Sequence, residues 1–118
     1  MTRMRIVVLV SVVAALAAAS SALGAAKPLT GTVGPGFTIT LKDGSKAVKS
    51  LTAGTYKITV SDKSNIHNFR LKGPGLNKEI TSVGFVGTKS ITVTLKKGKY
   101  TFVCDPHATI MKGSFTVK

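Results

Sequence analysis

The amino-acid sequence predicts an all-β fold, an antiparallel β-sandwich or barrel, in one domain that follows an N-terminal leader. Three observations support this prediction. Beyond Lys27, short segments alternate apolar and polar residues, as strands do when one face lies against a core. Turns rich in glycine separate these segments at regular intervals. No part of this region repeats its apolar residues with the period of a helix, and 118 residues suffice for one modest core.

Residues 1–26 have the composition of an export signal. A start with two arginines precedes an apolar run over residues 6–19, and small residues follow as far as Ala26. Cleavage after Gly24 or after Ala26 fits this pattern, and we expect it after Ala26, which leaves residues 27–118 as the mature domain in the periplasm, the cell envelope or the extracellular medium. The alternative is an uncleaved anchor, because this uncharged stretch of about 20 residues is just long enough to span a bilayer.

Six strands follow from the alternation within the mature domain. They are predicted at 37–42, 56–61, 69–71, 91–96, 100–104 and 115–117. An Asp-Gly pair at 43–44 and a Gly-Pro-Gly break at 73–75 supply two of the turns. Tyr56 and Tyr100 each open a strand shortly after a glycine, so we expect both rings to pack inward while their hydroxyl groups reach an edge of the sandwich.

The chain is strongly basic, with seventeen Lys and Arg residues against four Asp and Glu residues. Loss of Arg3 and Arg5 with the leader leaves fifteen against four, a net charge of +11. This charge favours acidic surfaces, whether on a partner protein, an anionic membrane or an envelope polymer. Nucleic acid fits poorly, because the lysines alternate along strands, arginine is scarce and export removes the usual target. An ordinary solvated lysine surface accounts for part of the excess.

The sequence contains no pattern that predicts an enzyme. Zinc-type CxxC pairs, GxSxG and P-loop motifs are absent, as are His-x-His repeats. The four acidic residues are Asp43, Asp62, Glu79 and Asp105, and we expect them in turns or at the surface. Neither a carboxylate pair nor a nucleophile beside a base is therefore expected.

Nearly every soft side chain of the mature domain lies in one short segment. Cys104 is its only cysteine, Met111 is its only methionine and His107 is one of its two histidines. The second histidine is His67. A trigonal His₂Cys set with a weak, long axial Met is the ligand set of blue copper sites, although zinc accepts the same Cys-His-His set. Each residue alone has a simpler interpretation as a core or loop residue, and only their combination favours a shared metal.

An exported chain with one cysteine cannot form an internal disulfide, and metal ligation gives such a thiol a role. We expect Cys104 to end a strand with its sulfur directed into the sandwich. Pro106 should keep Asp105 out of a helix and turn the chain sharply, which brings His107 back to the same point.

The segment that carries Cys104, His107 and Met111, GKYTFVCDPHATIMKG, resembles the copper-binding C-terminal motif of the cupredoxins, the plastocyanin/azurin family. The upstream His67-Asn68 is similar to the first-histidine motif of plastocyanin-like members. This resemblance implies a Greek-key β-sandwich with one mononuclear type 1 copper near one end. His67, Cys104 and His107 would be the equatorial ligands. Met111 would be the axial ligand, and Asn68 would tie the strand of His67 to the loop of Cys104.

The chain departs from the family pattern in two respects. Three residues separate His107 from Met111, one fewer than in plastocyanin-like loops and one more than in amicyanin-like loops, which leaves the axial distance and the reduction potential open. Lysines replace the acidic patch of plant plastocyanins, so the partner of those proteins cannot be carried over.

The function implied by the resemblance is single-electron transfer between envelope redox partners by an exported, monomeric copper protein. His107 would be the electron port, inside an apolar collar of Pro106, Ala108 and Ile110, and the lysines would attract partners with an acidic docking surface. One alternative is a copper carrier or buffer that delivers or sequesters the metal. Another is a structural or adhesion module in which the metal is incidental.

Overall fold

The computed structural model describes residues 25–118, which form two five-stranded sheets packed face to face. The strands are β1 (Lys27–Val33), β2 (Ile39–Asp43), β3 (Lys46–Ala47), β4 (Ser50–Leu51), β5 (Gly54–Asp62), β6 (Phe69–Gly73), β7 (Leu76–Thr81), β8 (Gly87–Leu95), β9 (Gly98–Val103) and β10 (Lys112–Val117). The first sheet has the order β3-β2-β1-β5-β8 and the second the order β4-β10-β9-β6-β7. Residues 1–24 of the predicted leader lie outside the described residues. Among residues 25–118, no helix is long and apolar enough to cross a membrane.

The all-β sandwich predicted from the sequence is confirmed, but its sheets are mixed rather than wholly antiparallel. β1 pairs with β5 in parallel, and β4 pairs with β10 in parallel. The other strand pairs are antiparallel. Parallel neighbours need a long connection between them, and β2, β3 and β4 together supply the connection from β1 to β5.

The predicted strand boundaries fail where the strands lie at sheet edges or end in loops. Phe37, predicted inside a strand, precedes β2 and is 57% exposed. β8 is an edge strand that starts at Gly87, four residues before its prediction, because its first residues are solvent-exposed and carry no alternation. Four strands were not predicted: β1, β3, β4 and β7. β3 and β4 have only two residues each, and β7 is an edge strand with three consecutive exposed residues.

The core fills the space between the two sheets with alternate residues of each strand. Ile58 of β5 and Leu71 of β6 are fully buried. The rings of Phe69 and Phe102 stack with centroids 5.8 Å apart. Complete burial of one such side chain contributes about 1.5–3 kcal/mol, so these residues hold the two sheets together.

The two tyrosines play matching roles at the edge of this core. Tyr56 and Tyr100 are both buried, as the sequence predicts. The hydroxyl of Tyr56 donates to the carbonyl of Thr52 at 2.7 Å. The hydroxyl of Tyr100 donates to the carbonyl of Lys96 at 3.0 Å and accepts the Lys96 N–H at 2.9 Å. Each tyrosine therefore fixes the turn that precedes its own strand.

The absence of a side chain at Gly113 makes room for the aromatic ring of Phe102 in the core. Gly113 of β10 lies opposite Phe102 of β9 in the strand register. A Cβ atom at position 113 would overlap the ring of Phe102. The absence of a side chain on β10 is thus what allows the Phe102 ring to occupy the core directly below the segment that carries Cys104.

Four loops meet at one end of the sandwich, which we call the loop end. β1 and β5 finish side by side, where Val33 pairs with Asp62. β7 finishes beside the start of β6, where Thr81 pairs with Phe69, and the connection from β5 to β6 joins the two sheets there. The loops of this end are 34–38, 63–68, 82–86 and 104–111.

Candidate metal centre

Two of the loops at the loop end carry the soft side chains. His67 lies in the loop between β5 and β6, two residues before β6 begins. Cys104 directly follows β9, His107 ends a 3₁₀ turn over Asp105–His107, and Met111 directly precedes β10. The sulfur-bearing residues are fully buried, His67 is fully buried and His107 is half-buried.

Backbone hydrogen bonds close the loop from Cys104 to Met111 on itself. The N–H of His107 donates to the carbonyl of Cys104 at 3.1 Å, and the N–H of Met111 donates to the carbonyl of His107 at 2.8 Å. The N–H of Cys104 donates to the carbonyl of Met111 at 3.0 Å. These bonds leave the segment little freedom to move its side chains.

The sharp turn expected at Pro106 is confirmed, but the expectation that Asp105 avoids helical structure is wrong. Asp105 is the first residue of the 3₁₀ turn. Proline is tolerated in a first helical turn, because the N–H that it lacks would have no partner within the helix there.

The donor atoms of His67, Cys104 and His107 converge on one point. The two Nδ1 atoms lie 3.0 Å apart, and the Cys104 sulfur lies 3.7 Å from the Nδ1 of His67 and 3.6 Å from the Nδ1 of His107. A circle through atoms at these three separations has a radius of about 2.0 Å, close to the bond lengths of about 2.0–2.3 Å that the same nitrogen and sulfur ligands make with Zn²⁺. A metal ion of that size therefore fits between the three donors.

The chemistry of these donors also fits a metal better than it fits a metal-free core. Two imidazole rings meet edge to face, with centroids 4.8 Å apart, and both direct Nδ1 towards the thiol. Within residues 25–118, His67, Cys104 and His107 form the one group of three or more such side chains that could hold a metal ion, and we identify it as a site for a single copper.

Met111 is fully buried and belongs to the same apolar cluster as Cys104. Its backbone bonds to His107 and Cys104 keep it beside the two C-terminal donors. Its role as an axial ligand stays a prediction.

Phe37 is a neighbour of the site that sequence reasoning missed. Its ring lies edge-on to His67, with centroids 5.4 Å apart, and edge-on to His107 at 4.9 Å. Phe37 therefore packs against both imidazoles while most of its own side chain stays exposed. The Gly34-Pro35-Gly36 run before it was the available signal, because such a run ends a strand and places the next residue in a loop.

Asn68 makes the contact that the family resemblance implies. Its side chain is fully buried, and its Oδ1 accepts the backbone N–H of Asp105 at 2.7 Å. Its Nδ2 donates to the carboxylate of Asp105 at 2.7 Å and to that of Glu79 at 2.8 Å. Asn68, the residue after His67, is thus hydrogen-bonded to Asp105, the residue after Cys104.

Arg70 of β6 completes this polar group on the outside of the sheet. Its Nε donates to Asp105 at 2.8 Å, its Nη2 contacts Glu79 at 3.4 Å and its Nη1 donates to Asn77 at 3.1 Å. Partial burial raises the pKa of the Asp105 carboxyl, but the hydrogen bonds from Arg70 and Asn68 outweigh it and hold this pKa below its usual value. The hydrogen bond to Asp105 in turn raises the pKa of Arg70.

Asp62 contradicts the expectation that the acidic residues lie in turns or at the surface. It is 1% exposed at the end of β5, and its Oδ1 accepts the N–H of Ser64 at 3.1 Å. This bond fixes the start of the loop that carries His67. A carboxylate can compete for backbone N–H groups in this way, which composition alone does not reveal.

The surface around the site is apolar. Pro106 and Ala108 are exposed beside half-buried His107, and Ile110 is 64% exposed, as the predicted collar requires. Among the described residues, all of the exposed large hydrophobic side chains lie in the four loops of the loop end: Phe37, Ile66, Val83, Val86 and Ile110.

Comparison with known proteins gives a family and a fold. The family model described as a cupredoxin-like domain matches residues 6–117. A solved structure of rusticyanin from Thiobacillus ferrooxidans is 23% identical, covers 80% of this chain and 79% of its own, and superposes with a TM-score of 0.57. A structure of reduced rusticyanin is 24% identical, with 80% and 81% of the two chains covered and a TM-score of 0.57. No curated protein sequence matches the chain.

Proposed function

The chain belongs to the cupredoxin-like family, and we propose that it is an exported type 1 copper protein that transfers single electrons between redox partners in the cell envelope. The observation that carries this proposal is the convergence of His67, Cys104 and His107 on one point at the loop end. We propose Met111 as the axial ligand of the same copper, because it is buried beside the two C-terminal donors.

The donor set suits a metal that changes its charge by one. Copper bound there would supply a couple between Cu(I) and Cu(II). The thiolate of Cys104 favours Cu(I), whereas the imidazoles of His67 and His107 also satisfy Cu(II). The backbone bonds between Cys104 and Met111 restrain two of these donors, Cys104 and His107. A small change in their positions between the two oxidation states would keep the barrier to electron transfer low.

A single group of metal-binding side chains supports an electron carrier rather than an enzyme. The described residues bring together one set of soft donors, so they offer storage for one electron at a time. Reactions that need several electrons would require a second centre, and residues 25–118 contain no second group of this kind.

His107 is the proposed electron port. It is half-buried, so part of the residue is open to solvent while its Nδ1 faces the thiol. The apolar collar of Pro106, Ala108 and Ile110 would exclude water from a docked partner. Small contacts of this kind are typical of brief redox encounters.

The proposed partners carry an acidic docking surface, and the protein acts as a monomer. The basic surface would speed encounter with such partners, with little effect on how long the complex lasts. We also propose that the leader ends near Ala26, because β1 begins at the next residue, Lys27. The protein would then reach the envelope as residues 27–118.

The visible spectrum after addition of Cu(II) to the purified protein tests the proposal. We expect a strong charge-transfer band that disappears in Cys104→Ser, because serine cannot provide a thiolate. In Met111→Leu the band should persist with a shifted position. An unchanged band in Cys104→Ser would refute the assignment, and ready transfer of copper to a metal-free acceptor, without fast electron self-exchange, would favour the carrier alternative.

A further inference from the structure

We propose that Arg70 and Glu79 are positioning residues for the copper thiolate, and that they act on Cys104 through Asp105. This inference rests on the proposed copper function and extends it to the outer face of the second sheet. Both residues lie on neighbouring strands, Arg70 on β6 and Glu79 on β7, and they face each other in the strand register.

The first step of the argument is the position of Asp105. It is bonded to Cys104 in the chain, and its N–H and its carboxylate are both held by the side chain of Asn68 at 2.7 Å. Any displacement of Asp105 from Asn68 therefore moves the backbone that carries the sulfur. The separations of 3.6 and 3.7 Å between that sulfur and the two histidine nitrogens depend on this attachment.

The second step concerns the repulsion between the carboxylates of Asp105 and Glu79, which Asn68 holds close together. Asn68 donates to a carboxylate of Asp105 and to a carboxylate of Glu79 through the same nitrogen, at 2.7 and 2.8 Å. Two negative charges that share one amide nitrogen repel each other, and the repulsion pushes the Asp105 turn away from β7.

The third step is the compensation by Arg70. Its planar guanidinium contacts the same oxygen atoms that Asn68 contacts, Oδ2 of Asp105 at 2.8 Å and Oε2 of Glu79 at 3.4 Å, and Asn77 holds its far end. A rigid fork of donors can bridge two carboxylates in a fixed geometry, which a lysine ammonium cannot reproduce. Arg70 thus bridges two carboxylates that would otherwise repel each other, and it holds Asp105, the residue after Cys104, in place.

A purely stabilising role is a poor account of this group. The side chains of Arg70, Glu79 and Asp105 are 25%, 36% and 37% exposed. Ion pairs with that exposure add little to folding stability, because solvent screens them. Their consequence is local, at the Cys104 donor, and residues that orient metal ligands in this way commonly change metal affinity or activity by about 10–100-fold when they are replaced.

The test compares Arg70→Gln with Lys72→Gln. Lys72 lies two residues further along β6 and is exposed, so its replacement removes the same charge from the same strand without removing the bridge to Asp105. In the metal-free protein, we expect the Asp105 N–H to exchange with solvent faster in Arg70→Gln, as measured by NMR. In the copper-loaded protein, the charge-transfer band should shift and copper affinity should fall by about tenfold. Lys72→Gln should change neither quantity comparably.

Two further variants distinguish the bridging geometry of the Arg70 guanidinium from the effect of its positive charge alone. Arg70→Lys keeps the charge and loses the fork, so we expect it to resemble Arg70→Gln. The double variant Arg70→Gln/Glu79→Gln removes the repulsion together with its compensation, so the exchange rate and the band should return towards the wild-type values. This double variant also keeps the proposal testable if Arg70→Gln alone is unfolded.

Two outcomes would overturn the inference. One is that the Arg70→Gln protein is folded and shows the same exchange rate of the Asp105 N–H and the same charge-transfer band as the Lys72→Gln protein. The other is a double variant as perturbed as Arg70→Gln. A wild-type protein that forms no charge-transfer band would refute the copper function instead, while the exchange rates in the metal-free protein would still decide whether Arg70 positions Asp105.

Discussion

Residues near the loop end contribute to the site through the space they leave for their neighbours as well as through the atoms they supply. Gly113 binds nothing, yet it is the residue of β10 whose missing side chain admits the ring of Phe102. Phe102 in turn stacks on Phe69, the first residue of the strand that follows His67. A glycine near one donor segment therefore sets the packing beneath the other.

Replacement of Gly113 by alanine should destabilise the protein by about 1–3 kcal/mol, because the new methyl group overlaps the Phe102 ring in a well-packed core. Urea unfolding of the metal-free protein measures this change. Gly36→Ala is the matched control, since a Cβ atom at position 36 meets nothing within 4 Å. Equal stability of the Gly113→Ala and Gly36→Ala variants would show that the core relaxes around the added group.

At the scale of elements, the strands that sequence reasoning found are those with one face in the core. β5 and most of β9 alternate buried residues with half-buried or exposed ones, so their pattern is visible in the sequence. β7 and the first half of β8 lie at sheet edges and are largely exposed, which removes the apolar signal that would mark them. Sequence patterns therefore miss edge strands because those strands lack an apolar face. β1, at the centre of the first sheet, was missed for another reason, since one of its three buried positions is Gly31, which adds no apolar side chain to the pattern.

The same distinction applies to the site. The donor set could be predicted because residues 27–118 contain only one cysteine, one methionine and two histidines, and their chemistry alone singles them out. The polar group of Arg70, Glu79 and Asp105 could not, because it exists only when β6 lies between β7 and β9. Its members are separated by nine to 35 residues in the chain, and no local pattern connects them.

The attachment of the 3₁₀ turn to β6 should make stability depend on pH. The pKa of Asp105 is lowered in the folded chain, because the hydrogen bonds from Arg70 and Asn68 outweigh the effect of burial. A carboxyl whose folded pKa lies below its unfolded value of about 3.9 stabilises the fold above that value, and the stabilisation is lost as the pH falls through the folded pKa. Asp105→Asn should therefore be less stable than the wild type at neutral pH, by about 1 kcal/mol or less, because solvent screens charges that are this exposed.

Urea unfolding of the metal-free protein at several pH values between neutrality and strong acid measures this difference. We expect the gap between the wild type and Asp105→Asn to shrink as the pH falls below about 4. Asp43→Asn, at the exposed end of β2, serves as the control for loss of one carboxylate. A gap that stays constant over this pH range would mean that Asp105 contributes through its shape and not through its charge.

At the scale of the whole molecule, charge and apolar surface are separated. The four loops of the loop end contain two charged residues, Lys63 and Asp105, whereas the sheets below them carry most of the lysines. β1 starts at the far end, where Lys27 pairs with Tyr56. The apolar tip therefore lies at the opposite end of the domain from Lys27, the residue that would follow the proposed leader.

This arrangement predicts how salt affects electron transfer. Exposed charges attract an oppositely charged reagent over roughly a Debye length, about 10 Å at 0.1 M salt, and added salt shortens that distance. An anionic iron cyanide complex should therefore exchange electrons with the copper-loaded protein more slowly as salt rises. A cationic cobalt complex should react faster as salt rises, because its repulsion from the same lysines is screened. Stopped-flow kinetics at several ionic strengths, with both reagents, measures the two slopes. Slopes of the same sign would show that the net charge of the chain does not govern approach to the site, and that the neutral loop end acts alone.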